Sequence, residues 1–496
     1  MKHVRAVDGR FVDEQGRHVI LHGISMVCKE KEMNYIGDWS EKDFIKLQEW
    51  GFNVIRLGII WDGIEPEPGR YDDRYLERVR EMIKLAYEHG IYVFLDMHQD
   101  LYSSLYADGA PEWATLTGGH TYEKTDLWSD AYLFSGAVQS AFDHFWSNAP
   151  APDGIGLQDH YVAAWKHAVQ QLRNEPNLIG YDIMNEPFIG SDVLGIVHAM
   201  FAAFADLAAE QSEGPAPGVE ELMTIWMDPE KKLEALQMLN SAEAYRKVME
   251  TTAVAQAHFE QNILSAFYQK ARDAIREVDP HRLLFLETNY FSNMGVPSAI
   301  MPATDAEGKP DAQQAYAPHG YDLVTDSDYV HAASGERVDV IFNQHEATRE
   351  RLGMPMMIGE WGAYGESDLA EEASLHVQKR FEELLASDVY WSYLYPEMDR
   401  YSSFKGVCRG YPMAASGSIL RYSYDHEKAG FEMEWEEDGS NESPTLVYLP
   451  NLKAENLRSI ELSPSGSSFE WTELNDAGAG VLRIATAGGG KRYIRI

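Results

Sequence analysis

A (β/α)₈ barrel followed by a small antiparallel β-sandwich is the fold this sequence predicts, and three observations predict it. Eight short apolar runs alternate with mostly helical segments between residues 19 and 395. Several of those runs stop abruptly at polar or ionisable side chains, as strands do on the carboxyl face of such a barrel. From about residue 412 the pattern changes to short alternating strands separated by Ser, Gly and Asn. The 496 residues exceed what one core usually serves, which suits two units, a barrel over 1–410 and a sandwich over 411–496. An open doubly wound sheet is the alternative topology. It would usually carry a Gly-rich phosphate turn after its first strand, and none is evident here.

Residues 3–18 read as an antiparallel hairpin, with turns at Asp8-Gly9 and Gln15-Gly16, that plugs the barrel floor. The first buried strand is Val19–Ser25, followed by Lys29 and a short helix over 41–50. Strand two runs Phe52–Ile60 and carries Arg56; its helix spans 73–89. Strand three, Tyr92–His98, precedes a helix near 158–174. Strand four is the apolar run from Leu178 that ends in Asn185-Glu186-Pro187. A proline there stops the strand and leaves an amide and a carboxylate at the sheet rim. The bland reading of the same residues is a helix N-cap. Strand five is Leu283–Glu287, strand six leads to Tyr316-Ala-Pro-His319-Gly-Tyr321, strand seven is Pro355–Trp361 and strand eight Val389–Tyr395. The sandwich strands are placed at 431–435, 445–449, 469–471, 481–484 and 492–496.

Two insertions interrupt the rhythm, 99–157 after strand three and 188–256 after strand four. The first holds Gly109-Ala-Pro-Glu-Trp113 with Trp128, Phe142 and Trp146. The second opens with Val193–Ala205, unusually poor in polar positions, followed by Met223, Ile225, Trp226 and Met227. Its helices pack either on one another or as a partly exposed apolar lid that holds a greasy substrate or touches a lipid or detergent surface.

Acidic residues outnumber basic ones 79 to 42, for a net charge of −37. That excludes nucleic acid as a natural partner, because phosphate binding needs concentrated Lys and Arg, and disfavours anionic membranes. The 12 Trp and 27 Tyr suit stacking on sugar rings, although a large core also needs aromatics. Cys28 and Cys408 are the only cysteines, and no disulfide between them is expected. The start has no secretory signal pattern, so the expected setting is the cytoplasm, or outside the cell with the signal removed. No apolar run reaches the ~18 residues that would suggest a membrane span.

The strand ends gather Arg56, His98, Asn185, Glu186, His319, Tyr321, Glu360 and Trp391. Each alone has a dull explanation, but carboxylates on strands four and seven face each other across one barrel mouth. Burying several ionisable groups together is costly unless their charges are used. Paired carboxylates are what glycoside hydrolysis requires, one protonated to serve the leaving oxygen and one ionised to attack. Their mutual repulsion separates the two roles. Arg56 and Tyr321 would support the nucleophile, Asn185 would grip the sugar 2-hydroxyl and Trp391 would form the sugar platform.

With these residues in order, the chain resembles glycoside hydrolase family 5, retaining enzymes on a (β/α)₈ barrel. The resemblance covers residues ~19–400 and implies Glu186 as acid/base and Glu360 as nucleophile, with Arg56, His98, Asn185, His319, Tyr321 and Trp391 around the substrate. Within the family it is similar to the endoglycoceramidase and glucosylceramidase branch. The features are His22-Gly23 with Lys29, Asp96-Met-His98-Gln-Asp100, Gly109–Trp113, the apolar insertion and Cys408–Gly417 leading into a C-terminal β domain. That similarity implies Lys29 and Asp100 as sugar contacts, a glycosphingolipid or other β-glycoside as substrate, and no cofactor or metal. Trp146 joins the expected substrate contacts as an aromatic of the first insertion. The competing readings are a β-glucanase or mannanase of the same family, a metal-dependent barrel hydrolase using His98, Asp100 and His319, and an inactive binding protein. His-x-His spacing, usual in barrel metal sites, is absent from strand one, and the presence of both glutamates argues against inactivity.

Overall fold

A computed structural model describes residues 3–496 apart from 126, 213–214, 326, 328, 366, 394–396 and 453. Its centre is a curled, all-parallel nine-stranded sheet. In spatial order the strands are His319–Gly320, Met357–Gly362, Ser387–Trp391, His22–Met26, Val54–Ile60, Tyr92–His98, Leu178–Asp182, Leu283–Leu286 and Gln314–Tyr316. The two outermost strands are consecutive in the chain, separated by Ala317-Pro318, because proline cannot donate to a ladder. Tyr316 also bridges to Met356, with its N–H donating to the Pro355 carbonyl at 3.0 Å.

Burial on both faces explains why these strands read as continuous apolar runs. Val54, Phe94, Ile179, Phe285, Met357 and Val389 fill the inside of the curl, where Val4 and Phe11 of the N-terminal hairpin join them. Phe11 lies 6.3 Å from Phe285, which lies 4.5 Å from Phe94. The hairpin thus packs onto the inside of the curl, and burying Phe11 alone is worth about 1.5–3 kcal/mol. Outward-facing strand residues pack against helices such as Asp73–Glu88. Asp72 caps that helix by accepting from the Arg74 and Tyr75 amides, and Tyr75, Val79, Met82, Ile83 and Ala86 form its buried stripe.

The structure refines the expected elements. Val19 is not in the first barrel strand; it belongs to a short strand, His18–Val19, that pairs with Ala414 and Ala415. The hairpin therefore also edges a seven-stranded sheet formed mainly by C-terminal strands, including Tyr411–Ala415, Thr445–Leu449, Gly480–Ile484 and Phe469–Glu473. A four-stranded antiparallel sheet contains Ser418–Asp425, Gly430–Glu437, Gly490–Arg495 and Glu461–Ser463. Tyr411, Val447 and Leu482 of one sheet share an apolar cluster with Phe431, Met433 and Ile494 of the other. Barrel strand eight is described as Ser387–Trp391; its expected end at Leu394 and Tyr395 lies outside the described residues. Cys28 and Cys408 are free thiols.

The second insertion folds into helices Val193–Ser212, Val219–Met227, Pro229–Met238 and Ala242–Glu250. The side chains of Met223, Trp226 and Met227 lie outside the described set. One expectation is qualified here. The 22 residues Gly190–Gln211 are long and apolar enough to span a membrane by length and composition, and 28% of the tested stretch is buried. Single polar residues such as His198 and Asp206 interrupt this stretch without reversing its character.

Candidate active site

Several strands of the curled sheet deliver side chains at or just beyond their carboxyl ends to one cavity. After Leu178–Asp182, Glu186 adopts a left-handed backbone with φ of 43°, which costs a non-glycine residue conformational energy. Its amide is held by Glu287 Oε2 at 2.7 Å, and the Tyr290 amide donates to the Pro187 carbonyl at 3.0 Å. The Glu186 carboxyl is 7% exposed. Its Oε1 accepts from Asn293 Nδ2 and lies opposite His319 Nδ1, each at 2.9 Å. Burial pushes this carboxyl above the ordinary glutamate value of 4.5, with Glu360 and Asp100 adding to the rise and His319 opposing it. A buried carboxylic acid raised in this way is suited to donate a proton.

Glu360 is bound differently. Oε1 accepts from Arg56 Nη1 at 2.6 Å and Oε2 from the Tyr321 hydroxyl at 2.7 Å. A carboxylate can accept on both oxygens at once, so this environment suits a nucleophile. One oxygen of Glu186, one of Glu360 and a nitrogen of His319 all lie within 4.8 Å of one another. Retaining glycosidases hold their carboxyl groups about 5–5.5 Å apart, inverting ones about 6.5–9.5 Å. The pair fits the closer class.

Arg56 organises the layer beneath. Besides Glu360 it reaches Asp182 at 2.9 Å, Glu287 at 2.7 Å, Asp96 at 3.0 Å and the Asn185 amide oxygen at 2.8 Å. Burial would lower its pKa, but Asp96, Asp182, Glu360 and Glu287 raise it well above the usual value. The crowded carboxyls are driven apart: Asp182 is pushed far up by burial and Glu287, whereas Glu287, facing His319 and Arg56, is held below its ordinary value despite burial. Burial opposes a charge on His319, yet Glu287 and Glu360 raise it well above its ordinary 6.5, and it lies between the Glu186 and Glu360 carboxyls.

A second wall suits sugar hydroxyls. Lys29 and Asp100 form an ion pair, and the Lys29 ammonium also lies 4.7 Å from the Trp391 ring centre. Trp391 stacks on His98 at 5.2 Å with planes 12° apart. Burial would lower His98, but Asp96 and Asp100 raise it to about 10. Asp108 sits behind this wall, pushed up by burial and by Asp100.

Of the residues expected from sequence, Lys29, His98, Asp100, Asn185, Glu186, Tyr321, Glu360 and Trp391 line one cavity of about 360 Å³. Arg56 and His319 are completely buried one layer below, where they hold the carboxyls rather than meet substrate. Trp146 is not brought to the cavity. Its indole N–H donates to the Phe188 carbonyl at 2.7 Å, and its ring packs edge-on against Phe145, Phe259 and Phe267. Its place in the fold is structural, so the expected sugar contact is withdrawn. Sequence reading missed Asn293 and Glu287. Glu287 ends strand five as Glu186 and Glu360 end theirs, so the same signal was present. Asn293 sits on a 3₁₀ turn, Tyr290–Met294, with no periodicity to flag it. The same cavity is also lined by the apolar side chains Val197, Met200, Phe204, Leu236, Leu239 and Phe291.

Comparison with known proteins agrees with this geometry. Residues 12–210 and 239–395 match Cellulase (glycosyl hydrolase family 5), and residues 409–496 match the Glycoside hydrolase family 5 C-terminal domain. The endoglycoceramidase of Cyanea nozakii is 33% identical over 236 residues, 42% of this chain and 45% of that protein. The glucosylceramidase of Aspergillus fumigatus is 30% identical over 242 residues, 36% of this chain and 32% of that one. Less than half the length of either relative is matched. The solved structure of endo-glycoceramidase II from Rhodococcus sp. in complex with ganglioside GM3 superposes with a TM-score of 0.73 at 24% identity, covering 98% of this chain and 99% of that one. With the catalytic-domain match spanning well over half the sequence and the C-terminal match completing it, the chain belongs to glycosyl hydrolase family 5.

Proposed function

We propose that this protein is a retaining β-glycosidase that cleaves the bond between glycan and ceramide in glycosphingolipids. The observation that carries this reading is that Glu186 and Glu360 line the same cavity as a large set of apolar side chains from the helical insertion. A polar end with stacked aromatics suits the sugar, and the helical insertion suits an acyl or sphingoid chain. The ceramide relatives support the choice of lipid. The same reading takes the curled sheet as a closed (β/α)₈ barrel, supported by the Tyr316–Met356 bridge, and the C-terminal sheets as a sandwich.

The mechanism follows from the two environments. Glu360 attacks the anomeric carbon while the Glu186 proton passes to the glycosidic oxygen, so the sugar–oxygen bond breaks and neutral ceramide leaves. Glu186, now a carboxylate, takes a proton from water, whose oxygen displaces Glu360 and frees the sugar with its β configuration kept. Arg56 and Tyr321 support Glu360 as attacking group and again as leaving group. His319 and Asn293 stabilise Glu186 in its base form. Asn185, fixed by Arg56, presents its amide N–H group to the sugar 2-hydroxyl. The exposed face of Val193–Ser212, where Leu194 is 54% exposed, meets the lipid or detergent surface from which substrate is drawn.

A soluble β-glucan hydrolase is the second reading, favoured by the cellulase match itself. Trapping with an activated 2-deoxy-2-fluoro-β-glucoside tests the mechanism: mass mapping should find the sugar on Glu360. Labelling elsewhere overturns the nucleophile assignment. Release of ceramide from detergent-dispersed glucosylceramide tests the substrate class, and no release with turnover of a soluble glucan favours the second reading.

A further inference from the structure

Glu360 lies at an irregularity of its strand. Met357 and Ile358 pair with Ser387 and Asp388, whereas Trp361 and Gly362 pair with Tyr390 and Trp391. Gly359 and Glu360 together therefore oppose Val389 alone, which is a β-bulge. Its consequence follows from the two-residue side-chain period of a strand. Met357 belongs to the cluster inside the curl and Ile358 to the cluster outside it. Unbroken alternation would point Glu360 outward to the helices and Trp361 inward. The bulge reverses both. Glu360 meets Arg56 and Tyr321 in the mouth, and Trp361 packs outside against Phe381 and Tyr390 at 5.2 and 5.1 Å.

One residue spans this bulge. Asp388 is the backbone partner of Ile358 at its start, and its Oδ2 accepts the Trp361 indole N–H at 2.9 Å at its end. Asp388 is fixed in turn by His22 Nδ1, 3.1 Å from each of its oxygens, and by Arg409, which donates to Oδ1. All four side chains are completely buried. Arg409 is the first residue of the region matching the family's C-terminal domain. Burial disfavours a charged Asp388, and Arg409 is the main group that holds it ionised, at about 2. A buried ionic cluster is poor at adding net stability, and its best-supported use is to specify register. Register is what aims Glu360.

We propose that Arg409, acting through Asp388 and Trp361, is a positioning residue for the nucleophile, so that the C-terminal domain sets the bulge that presents Glu360 to the sugar. This rests on the assignment of Glu360 above.

The test measures the first-order rate constant for labelling by the activated 2-fluoro glucoside, on the full chain. Trp361→Phe removes the indole N–H together with part of the ring's packing; Asp388→Asn removes the acceptor's charge while keeping Trp361 whole; Arg409→Gln removes the cation and Arg409→Lys keeps it. A displacement of about 1 Å can cost about 10²-fold, so Trp361→Phe should slow labelling at least about tenfold with affinity for the label within about twofold. Arg409→Gln and Asp388→Asn should behave alike, and Arg409→Lys should recover most of the rate. Lost fold shows as fewer labelled sites, not as a slower constant, so a poorly folded variant still reports. Trp361→Phe labelling at the wild-type rate overturns the inference, as does Arg409→Gln matching wild type. If the wild type is not labelled at Glu360, the nucleophile assignment has failed instead.

Discussion

Glu186→Ala separates the acid role from a merely structural one, because its cost depends on the substrate. Both hydrogen bonds to its carboxyl fall on Oε1, from His319 and Asn293, which leaves Oε2 to carry the proton. Glu186 is buried, and the neighbouring carboxylate of Glu360 is committed to Arg56 and Tyr321. Losing a positioned general acid costs about 10²–10⁴ in rate, or roughly 3–5 kcal/mol of transition-state stabilisation, when the leaving group is a poor one such as ceramide alkoxide. An aryl glucoside with a good leaving group needs no proton, so kcat/KM, which reports steps through bond cleavage, should fall less than about tenfold. The assay compares kcat/KM for detergent-dispersed glucosylceramide with that for the activated aryl glucoside. The lipid substrate should suffer at least tenfold more. Equal losses on both would refute the acid assignment, since a general collapse of the mouth would not distinguish leaving groups. Glu186→Gln, closer in shape, should reproduce the contrast.

Three further outcomes follow from the same geometry. The basic limb of kcat/KM on the lipid reports loss of the Glu186 proton, which burial raises and His319 lowers; His319→Asn should therefore move that limb to higher pH, and a move to lower pH would contradict the assigned direction. Asp311 lies between Arg272 and Arg276, chiefly Arg276, which together hold it at about 2 against an ordinary 3.8 despite burial. A depressed carboxylate stabilises above its unfolded value, so Asp311→Asn should cost about 1–2 kcal/mol at neutral pH, shrinking as pH falls from 3.8 through about 2; urea midpoints measure this, and kcat should not change. Leu194→Asp on the exposed apolar helix should slow hydrolysis of glucosylceramide in vesicles several-fold while leaving a soluble aryl glucoside untouched, and equal rates on vesicles would remove the lipid-contact role.

Much of the site was legible because parallel strands are buried on both faces. An apolar run that ends in Asn185-Glu186-Pro187 or Glu360-Trp361 then has few explanations besides a barrel mouth. The reading was weaker where long-range pairing decides the structure. Nothing local says that His18 and Val19 pair with Ala415 and Ala414, nearly four hundred residues away. Trp146 misled because an aromatic in an insertion looks alike whether it faces a sugar or a packed cluster; its bond to the Phe188 carbonyl decides the matter. Asn293 was invisible because a single amide on an irregular turn has no pattern, and only the fold brings it 2.9 Å from Glu186. The bulge at Glu360 was hidden too. Gly359-Glu360-Trp361 shows no sign of which face each residue takes until strand eight is laid beside it.

The most direct test of the central claim is product analysis with glucosylceramide and a longer ganglioside side by side in detergent, with Glu360→Gln as control. The account predicts free ceramide together with released sugar, glucose from the first or intact oligosaccharide from the second, and no product from the variant although it stays folded. Absence of ceramide from both lipids, with turnover of a soluble β-glucan, would contradict it and return the apolar cavity to a structural role.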